Sequence, residues 1–273
     1  MTTNGTPGSS WRVQVDLCNP GQFFGCVGLH ELADRLWPGG GVTSVFNGRS
    51  FTVAGAGGTL EDLVKAVMAA ELTQVDVGYK NGTNLATASR IDVGPPFRLR
   101  LDWWCEWRPG GKALKPWAGK SMESTRIALA LRAALPQALA MGEELFDCTR
   151  VVFNPGNKKK VEAYYFDGRR GAAAGAVDMG FVPDTIGKPT AAHPAVELFC
   201  LVGLQRAWPA PALAVATYDY FTWSYPLPAA LLPVAVAGRL PHVGAAGFRF
   251  TCDYRTGKRK HKCFRPATTL GEL

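Results

Sequence analysis

The stretch DLCNPGQFFGCVGLHELADRLWP, Asp16 to Pro38, sets the organisation of the chain. Just before it, Trp11 to Leu17 alternates apolar and polar residues, the period of a strand with one buried face. Asn19-Pro20-Gly21 ends that strand. Asn19 suits an N-cap because its short side chain accepts a bond from an orphan helical N–H, and Pro20 suits the first helical position, where its missing N–H costs nothing. Phe23, Cys26, Val27, Leu29, Leu32, Ala33 and Leu36 then recur at helical spacing, and Trp37-Pro38-Gly39-Gly40-Gly41 stops the helix. A tight strand-to-helix turn points free N–H groups outward and favours an anion, which makes Asn19 and Gln22 candidates for contact with a phosphate or a base. The alternative is a plain structural corner.

A related stretch, HPAVELFCLVGLQRAWP, begins at His193. In both, a Pro precedes a Cys by six residues (Pro20 and Cys26, Pro194 and Cys200), followed by Gly-Leu and then Trp-Pro; the second carries one extra residue before its Gly-Leu. Such a repeat predicts two related halves, each opening with a strand and a packed helix. The expected fold class is α+β, with ferredoxin-like or RNA-recognition-like βαβ units, single or doubled, and long loops. The expected organisation is a disordered lead over 1–10, a first half over 11–150 and a second over 151–273, packed as one globular unit.

The chain has 273 residues and 47% hydrophobic content, enough for a sizeable core. No apolar run reaches the roughly 18 residues that span a bilayer, and the N-terminus lacks the pattern of a signal peptide, so the expected location is cytoplasmic with no membrane partner. The seven cysteines form no Cys-x-x-Cys pair, which supports neither a disulfide framework nor a zinc site. No cofactor or metal is expected. The formal net charge of +8 calls for an anionic partner, and nucleic acid is the commonest.

Along the chain, Asn47-Gly48 between apolar alternations predicts a hairpin over Val42 to Val53. Thr59 to Asp62 reads as a capping box opening a helix over Leu60 to Leu72. FRLRL from Phe97 predicts a strand with Arg98 and Arg100 on its solvated face. Trp103, Trp104 and Trp107 follow it; they either stack on unpaired bases or place two of their number in the core. The loop RPGGKALKPWAGK carries Arg108, Lys112, Lys115 and Lys120 beside Trp117 with no acid. It is either a nucleic-acid contact or a solvated surface loop. Ser121 is expected to cap a helix that Pro136 ends, with Arg126 and Arg132 facing an anion. Lys158-Lys159-Lys160 lies at a turn after Asn154-Pro155-Gly156-Asn157, and Val161 to Phe166 reads as a strand. Arg169 and Arg170 sit in a Gly-flanked turn suited to phosphate. Two strands are expected at the C-terminus, around a window with six cations and no acid: Arg255, Lys258, Arg259, Lys260, Lys262 and Arg265. This window reads either as a backbone-binding patch or as a solvated charge run.

None of the motifs HExxH, Gly-x-Ser-x-Gly or a phosphate-loop Gly-x-x-x-x-Gly-Lys-Ser/Thr occurs. The chain therefore reads as a non-enzyme. The enzymatic alternative is a metal-independent ribonuclease using His193 or His261 as general base.

The segments VDLCNPGQFFGCVGLHELADRLW, FDGRRGAAAGAVDMGFVPD and HPAVELFCLVGLQR resemble a CRISPR-associated effector subunit family of type I-U, also called I-G, which is grouped with the large subunits of Cascade. The resemblance covers nearly the whole chain. It implies a non-catalytic subunit of an antiviral ribonucleoprotein complex. Its implied partners are guide RNA, target double-stranded DNA, other Cascade subunits and a recruited helicase-nuclease. In such complexes base pairing reads the target, while protein holds backbones and reads a flanking motif. The alternatives that remain are an endoribonuclease that processes CRISPR RNA and a backbone subunit that grips the guide.

Overall fold

The local signals around Asn19 produce the predicted helix. Asn19 is extended and its side chain accepts from the Gly21 amide, so α1 runs from Pro20 to Leu36. The computed structural model describes residues 9–75, 89–105, 111–117, 122–169, 191–240, 246–254 and 262–271. β1 (Ser9–Gln14) precedes α1 and begins two residues before the expected first half at residue 11; residues 1–8 of the expected lead lie outside the described residues. β2 (Thr43–Asn47) and β3 (Ser50–Ala56) form the predicted hairpin, with Gly48 at φ +57 supplying the left-handed turn residue. α2 (Leu60–Ala69) starts with the full capping box of Thr59 and Asp62. It is shorter than expected, because Leu72 opens β4 (Leu72–Val75).

β1 and β2 both pair antiparallel with β3, so they run parallel to each other and α1 is their crossover. A strand from far along the chain, β9 (Leu227–Pro228), extends this sheet to the order β1-β3-β2-β9. β4 pairs with β5 (Arg90–Val93) and β5 with β6 (Leu99–Leu101), and Arg100 clasps Asp92 across the solvated face at 2.7 and 2.9 Å. β6 is shorter than the predicted strand because Arg98 has a left-handed φ of +47.

The next helices are α3 (Gly111–Leu114), α4 (Ser124–Ala133) and α5 (Leu135–Leu139), and a 3-10 turn follows over Gly142–Asp147. Ser121 lies outside the described residues. Pro136 belongs to the first turn of α5, where proline is tolerated, so it opens the next helix after α4 has ended. Residues 161–167 carry no regular secondary structure and enter no ladder. Tyr165 has φ +72 there, which breaks the predicted strand, although its carbonyl accepts from the Phe264 amide.

α6 (Pro194–Arg206) is followed by β7 (Ala210–Pro211), β8 (Thr217–Phe221), β9, a 3-10 turn (Ala229–Leu231) and α7 (Leu232–Val236). β10 (Gly247–Tyr254) pairs with β8, β11 (Lys262–Phe264) and β12 (Thr268–Thr269). The fold is α+β with antiparallel sheets. Among the described residues no helix is long and apolar enough to cross a membrane.

α1 and α6 form the central pair. Every residue of α1 from Pro20 to Ala33 is buried, as is α6 from Pro194 to Leu204. Phe23 stacks on Phe46 of β2 at 5.4 Å and on Tyr220 of β8 at 4.4 Å. On the other side Leu198, Phe199 and Val202 of α6 meet Leu72, Ile91, Val93 and Leu101. The helices cross at Gly28 and Gly203, where hydrogen in place of a side chain brings backbone onto backbone. Polar groups inside this pair are all tied down. Ser44 Oγ lies 2.7 Å from His30 Nδ1, and His30 Nε2 is 3.3 Å from the Val42 carbonyl. Glu31 binds Arg35 and Arg206.

Candidate nucleic-acid interface

The first sequence candidates lie where α1 and α6 begin. Asn19 Oδ1 accepts from the amides of Gly21 (3.1 Å) and Gly168 (2.9 Å), and its Nδ2 donates to Asp167 Oδ1 (2.8 Å). Gln22 Oε1 accepts from the Asp16 amide at 2.6 Å. Both residues are buried, at 2% and 3% exposure. The expectation that they contact nucleic acid is therefore corrected: both side chains are buried, and their oxygens and the Asn19 amide are spent within the chain. The anion beside the helix start is the protein's own Asp167.

Asp167 is fully buried. Burial alone would raise its pKa, but the bonds and charges of His193 and Arg169 outweigh that and hold the carboxyl well below the usual carboxylate range. Arg169 binds Asp167 through Nη2 at 2.8 Å, Asp147 Oδ1 at 2.7 Å and the Phe146 carbonyl at 2.7 Å. This corrects the reading of Arg169 as a phosphate ligand, since its fork is filled by two carboxylates and a carbonyl. Arg170 lies outside the described residues.

His193 stands at the N-cap position of α6 without capping it. Its Nδ1 is 2.8 Å from Asp167 Oδ2, and its Nε2 is 3.1 Å from Thr149 Oγ1. That line resembles a hydroxyl-activating relay. Both Asp167 oxygens also bind Asn19 or Arg169, however, so the carboxylate is not dedicated to the imidazole. The Thr149 hydroxyl also lies 3.3 Å from the Asp147 carbonyl, a second acceptor for its proton.

The tryptophans are core. Trp103, Trp104 and Trp117 are buried and meet edge to face at 5.3–5.7 Å, and Trp103 Nε1 donates to the Leu201 carbonyl at 3.0 Å. Trp117 is thus withdrawn from the loop that was expected to present it. Trp107, Arg108 and Lys120 lie outside the described residues. Lys112 is exposed on α3. Lys115 is half-buried over the Trp117 ring at 5.1 Å, and burial lowers its pKa to about 8.

A different cluster sits on the turn between residues 150 and 161. Arg150 and Ala192 exchange backbone bonds at 2.8 and 2.7 Å, and the Val161 amide donates to the Val152 carbonyl at 3.0 Å. Asn154 Oδ1 accepts from Gly156 and Asn157, and the Lys158 amide returns to the Asn154 carbonyl at 2.9 Å, with Lys158 at φ +56. This holds Lys158 and Lys159 outward. Lys160 instead pairs with Glu162 at 3.1 Å.

Between this turn and the α4–α5 segment lies an open cleft of about 570 Å³, lined by Ala130, Ala133, Gln137, Arg150, Phe153 and Lys158 among others, with no acid in its wall. Phe153 is 48% exposed. Arg126 stands one turn before Ala130 on α4, half-buried, and its Nε has no hydrogen-bond partner. Sequence reasoning missed Arg150 and Phe153. The signal for Phe153 was its step beyond buried Val152, which turns it to the opposite side of an extended segment.

At the C-terminus β10 and β11 pair as expected, Tyr254 opposite Lys262. Lys262 is half-buried over the Tyr254 ring at 5.6 Å, and Arg265 donates to the Tyr254 carbonyl at 2.8 Å. Arg255, Lys258, Arg259, Lys260 and His261 lie outside the described residues. Among the described residues no group of His, Cys, Asp or Glu is placed to hold a metal ion.

No family model matches the chain, and neither a curated protein nor a solved structure matches it.

Proposed function

We propose that this chain is a non-catalytic, nucleic-acid-binding subunit of a type I CRISPR interference complex of the I-U (I-G) kind, working in the cytoplasm. The resemblance of its three segments supports that assignment. Its partners on this reading are guide RNA, target duplex, the other Cascade subunits and a recruited helicase-nuclease. The observation that carries the nucleic-acid part is the grouping of Arg150, Lys158 and Lys159 on one braced turn, exposed and with no carboxylate partner among the described residues. Elsewhere arginines such as Arg12, Arg100 and Arg249 are paired with Glu143, Asp92 and Asp219. The charge excess thus has an exposed outlet at this turn.

The finer fold reading belongs to the same proposal: two diverged ferredoxin-like, RNA-recognition-like units, each contributing one central helix. The β1-β3-β2 order with α1 as crossover supports the first unit, and the reciprocal contact of Gly28 and Gly203 supports the relation between them.

The test is co-expression with the neighbouring genes and a guide RNA, followed by target-duplex binding at several salt concentrations. Changing Arg150, Lys158 and Lys159 to Ala should weaken binding and flatten its salt dependence. Unchanged binding by a complex that retains the variant would make the chain a bridge between subunits. Absence of the chain from the purified complex would end the CRISPR assignment. A second reading, metal-independent RNA cleavage, is favoured only by the line Thr149–His193–Asp167. It requires cleavage of repeat RNA in the presence of a chelator, abolished by His193→Ala.

A further inference from the structure

The cleft beside the 150–161 turn has more than a phosphate-binding surface needs. Two cations, Arg150 and Lys158, stand at its wall with an exposed aromatic ring, Phe153, between them in sequence. The opposite wall is the stripe of Ala130 and Ala133 on α4 and Ala134 at the junction with α5, followed by Gln137 on α5. Methyl groups at this spacing make a smooth apolar surface and leave the width of the cleft open. Its volume of about 570 Å³ lies within the range of small-ligand sites and is far too small for a duplex. The ligand chemistry that matches is a flat apolar ring carrying flanking negative charge.

We infer that this cleft seats a single-stranded segment of nucleic acid, one base stacked on Phe153 and its neighbouring phosphates on Arg150 and Lys158. This rests on the nucleic-acid reading above and adds the strand state and the contact mode. A duplex hides its ring faces in its own stack, whereas an unpaired base offers one to an aromatic side chain. Gln137 at the end of the alanine stripe supplies an amide for a base edge. The turn is braced before any ligand arrives: Asn154 Oδ1 holds two amides, and Phe153 bridges Lys160 across the turn. Little ordering cost is then left for binding.

The experiment measures fluorescence anisotropy of labelled ten-nucleotide oligo-dT and oligo-U, and of a hairpin duplex of equal length, with the full chain over a range of salt. The single strands should bind more tightly than the duplex. Phe153→Ala should weaken single-strand binding about tenfold and leave the salt slope unchanged, and Phe153→Trp should restore it. Arg150→Ala with Lys158→Ala should lower the single-strand slope by about 1.4, for two phosphates. Preference between oligo-dT and oligo-U tells which strand the cleft takes. If Phe153→Ala binds as tightly as the wild type while binding stays salt-dependent, or if the duplex responds equally, the cleft inference falls and the nucleic-acid reading stands. If the wild-type chain binds no oligonucleotide at low salt, both fall. Phe153 is half exposed, so a thermal melt of each variant should match the wild type, and Phe153→Leu provides a second variant without a π face.

Discussion

Gly28 and Gly203 stand face to face where α1 crosses α6, each pressed onto the other helix: Gly28 against the carbonyl of Phe199, Gly203 against the carbonyl of Phe24. The partner groups are backbone inside helices and cannot swing away. Gly28→Ala and Gly203→Ala should each therefore cost about 3 kcal/mol or more, because an added methyl must push the two helices apart. Gly142→Ala is the control. It has φ +59 and open space around it, so only its backbone conformation is strained, at a cost of about 1 kcal/mol. Urea unfolding of the three variants measures the difference, and equal costs would mean the helices are not in backbone contact.

Asp167 should govern stability at low pH. Its folded pKa is depressed below the unfolded value of 3.8, so its contribution is fully present above about pH 4 and is lost as pH falls through the folded value. Asp167→Asn removes the negative partner of Arg169 and His193 and should cost about 3 kcal/mol at pH 7. It should also flatten the stability profile below pH 4. A variant as acid-sensitive as the wild type in that range would assign the effect to other carboxylates.

His30 acts in a separate window. Burial lowers its pKa from 6.5 to about 4, despite the opposing Val42 bond and Glu31 charge. The unfolded chain then takes up a proton that the folded chain refuses. Stability is unaffected above pH 6.5 and falls as pH drops from there towards 4, by about 2 kcal/mol at pH 5. His30→Gln keeps a donor and an acceptor but cannot titrate, and α6 already carries Gln205 two residues after Gly203, as His30 follows Gly28. The variant should lose the step between pH 6.5 and 5 in denaturant midpoints. Persistence of the step would exclude His30 as its source.

All seven cysteines are free thiols, and only Cys18 is more than marginally exposed. Burial raises the pKa of Cys26 and Cys200 well above 9, and that of Cys252 to about 12. An aromatic disulfide reagent at pH 8 should thus titrate at most one thiol quickly in the native protein and all seven in denaturant. Rapid reaction of three or more would contradict the packing of α1 against α6.

The features that could be read from sequence were those whose partners lie within a few residues. Asn19 with Gly21, Asn47 with Gly48, and Thr59 with Asp62 each close a loop of three residues or fewer, and all were predicted. What failed was set by distant partners. Asn19 looked like a surface ligand until Asp167, 148 residues beyond it, took its amide, and Arg169 did so until Asp147 and the Phe146 carbonyl, 22 and 23 residues before it, filled the rest of its fork. Trp117 looked like a loop aromatic because nothing near it in sequence announces Trp103 or Tyr164. Basic residues could be located from sequence, but which of them keep their charge free could not always be read, since Arg249 differs from Lys158 in facing an acid, Asp219, 30 residues away. Phe153 is the exception: its signal was local, the step beyond buried Val152, and was overlooked.

The enclosure of α1 has a consequence for synthesis. Glu31 waits for Arg206, which is 175 residues further along, and Phe24 waits for Gly203. At bacterial-like elongation of about 5–20 residues per second, the first helix leaves the ribosome on the order of ten seconds or more before the helix that covers it. During that interval the nascent chain carries an apolar helix, with a buried-type carboxylate, whose cover has not been made. A chain released before residue 206 has no means of completing its core. Completion of the core therefore requires synthesis through residue 206, and truncated translation products should be cleared by proteolysis or aggregate.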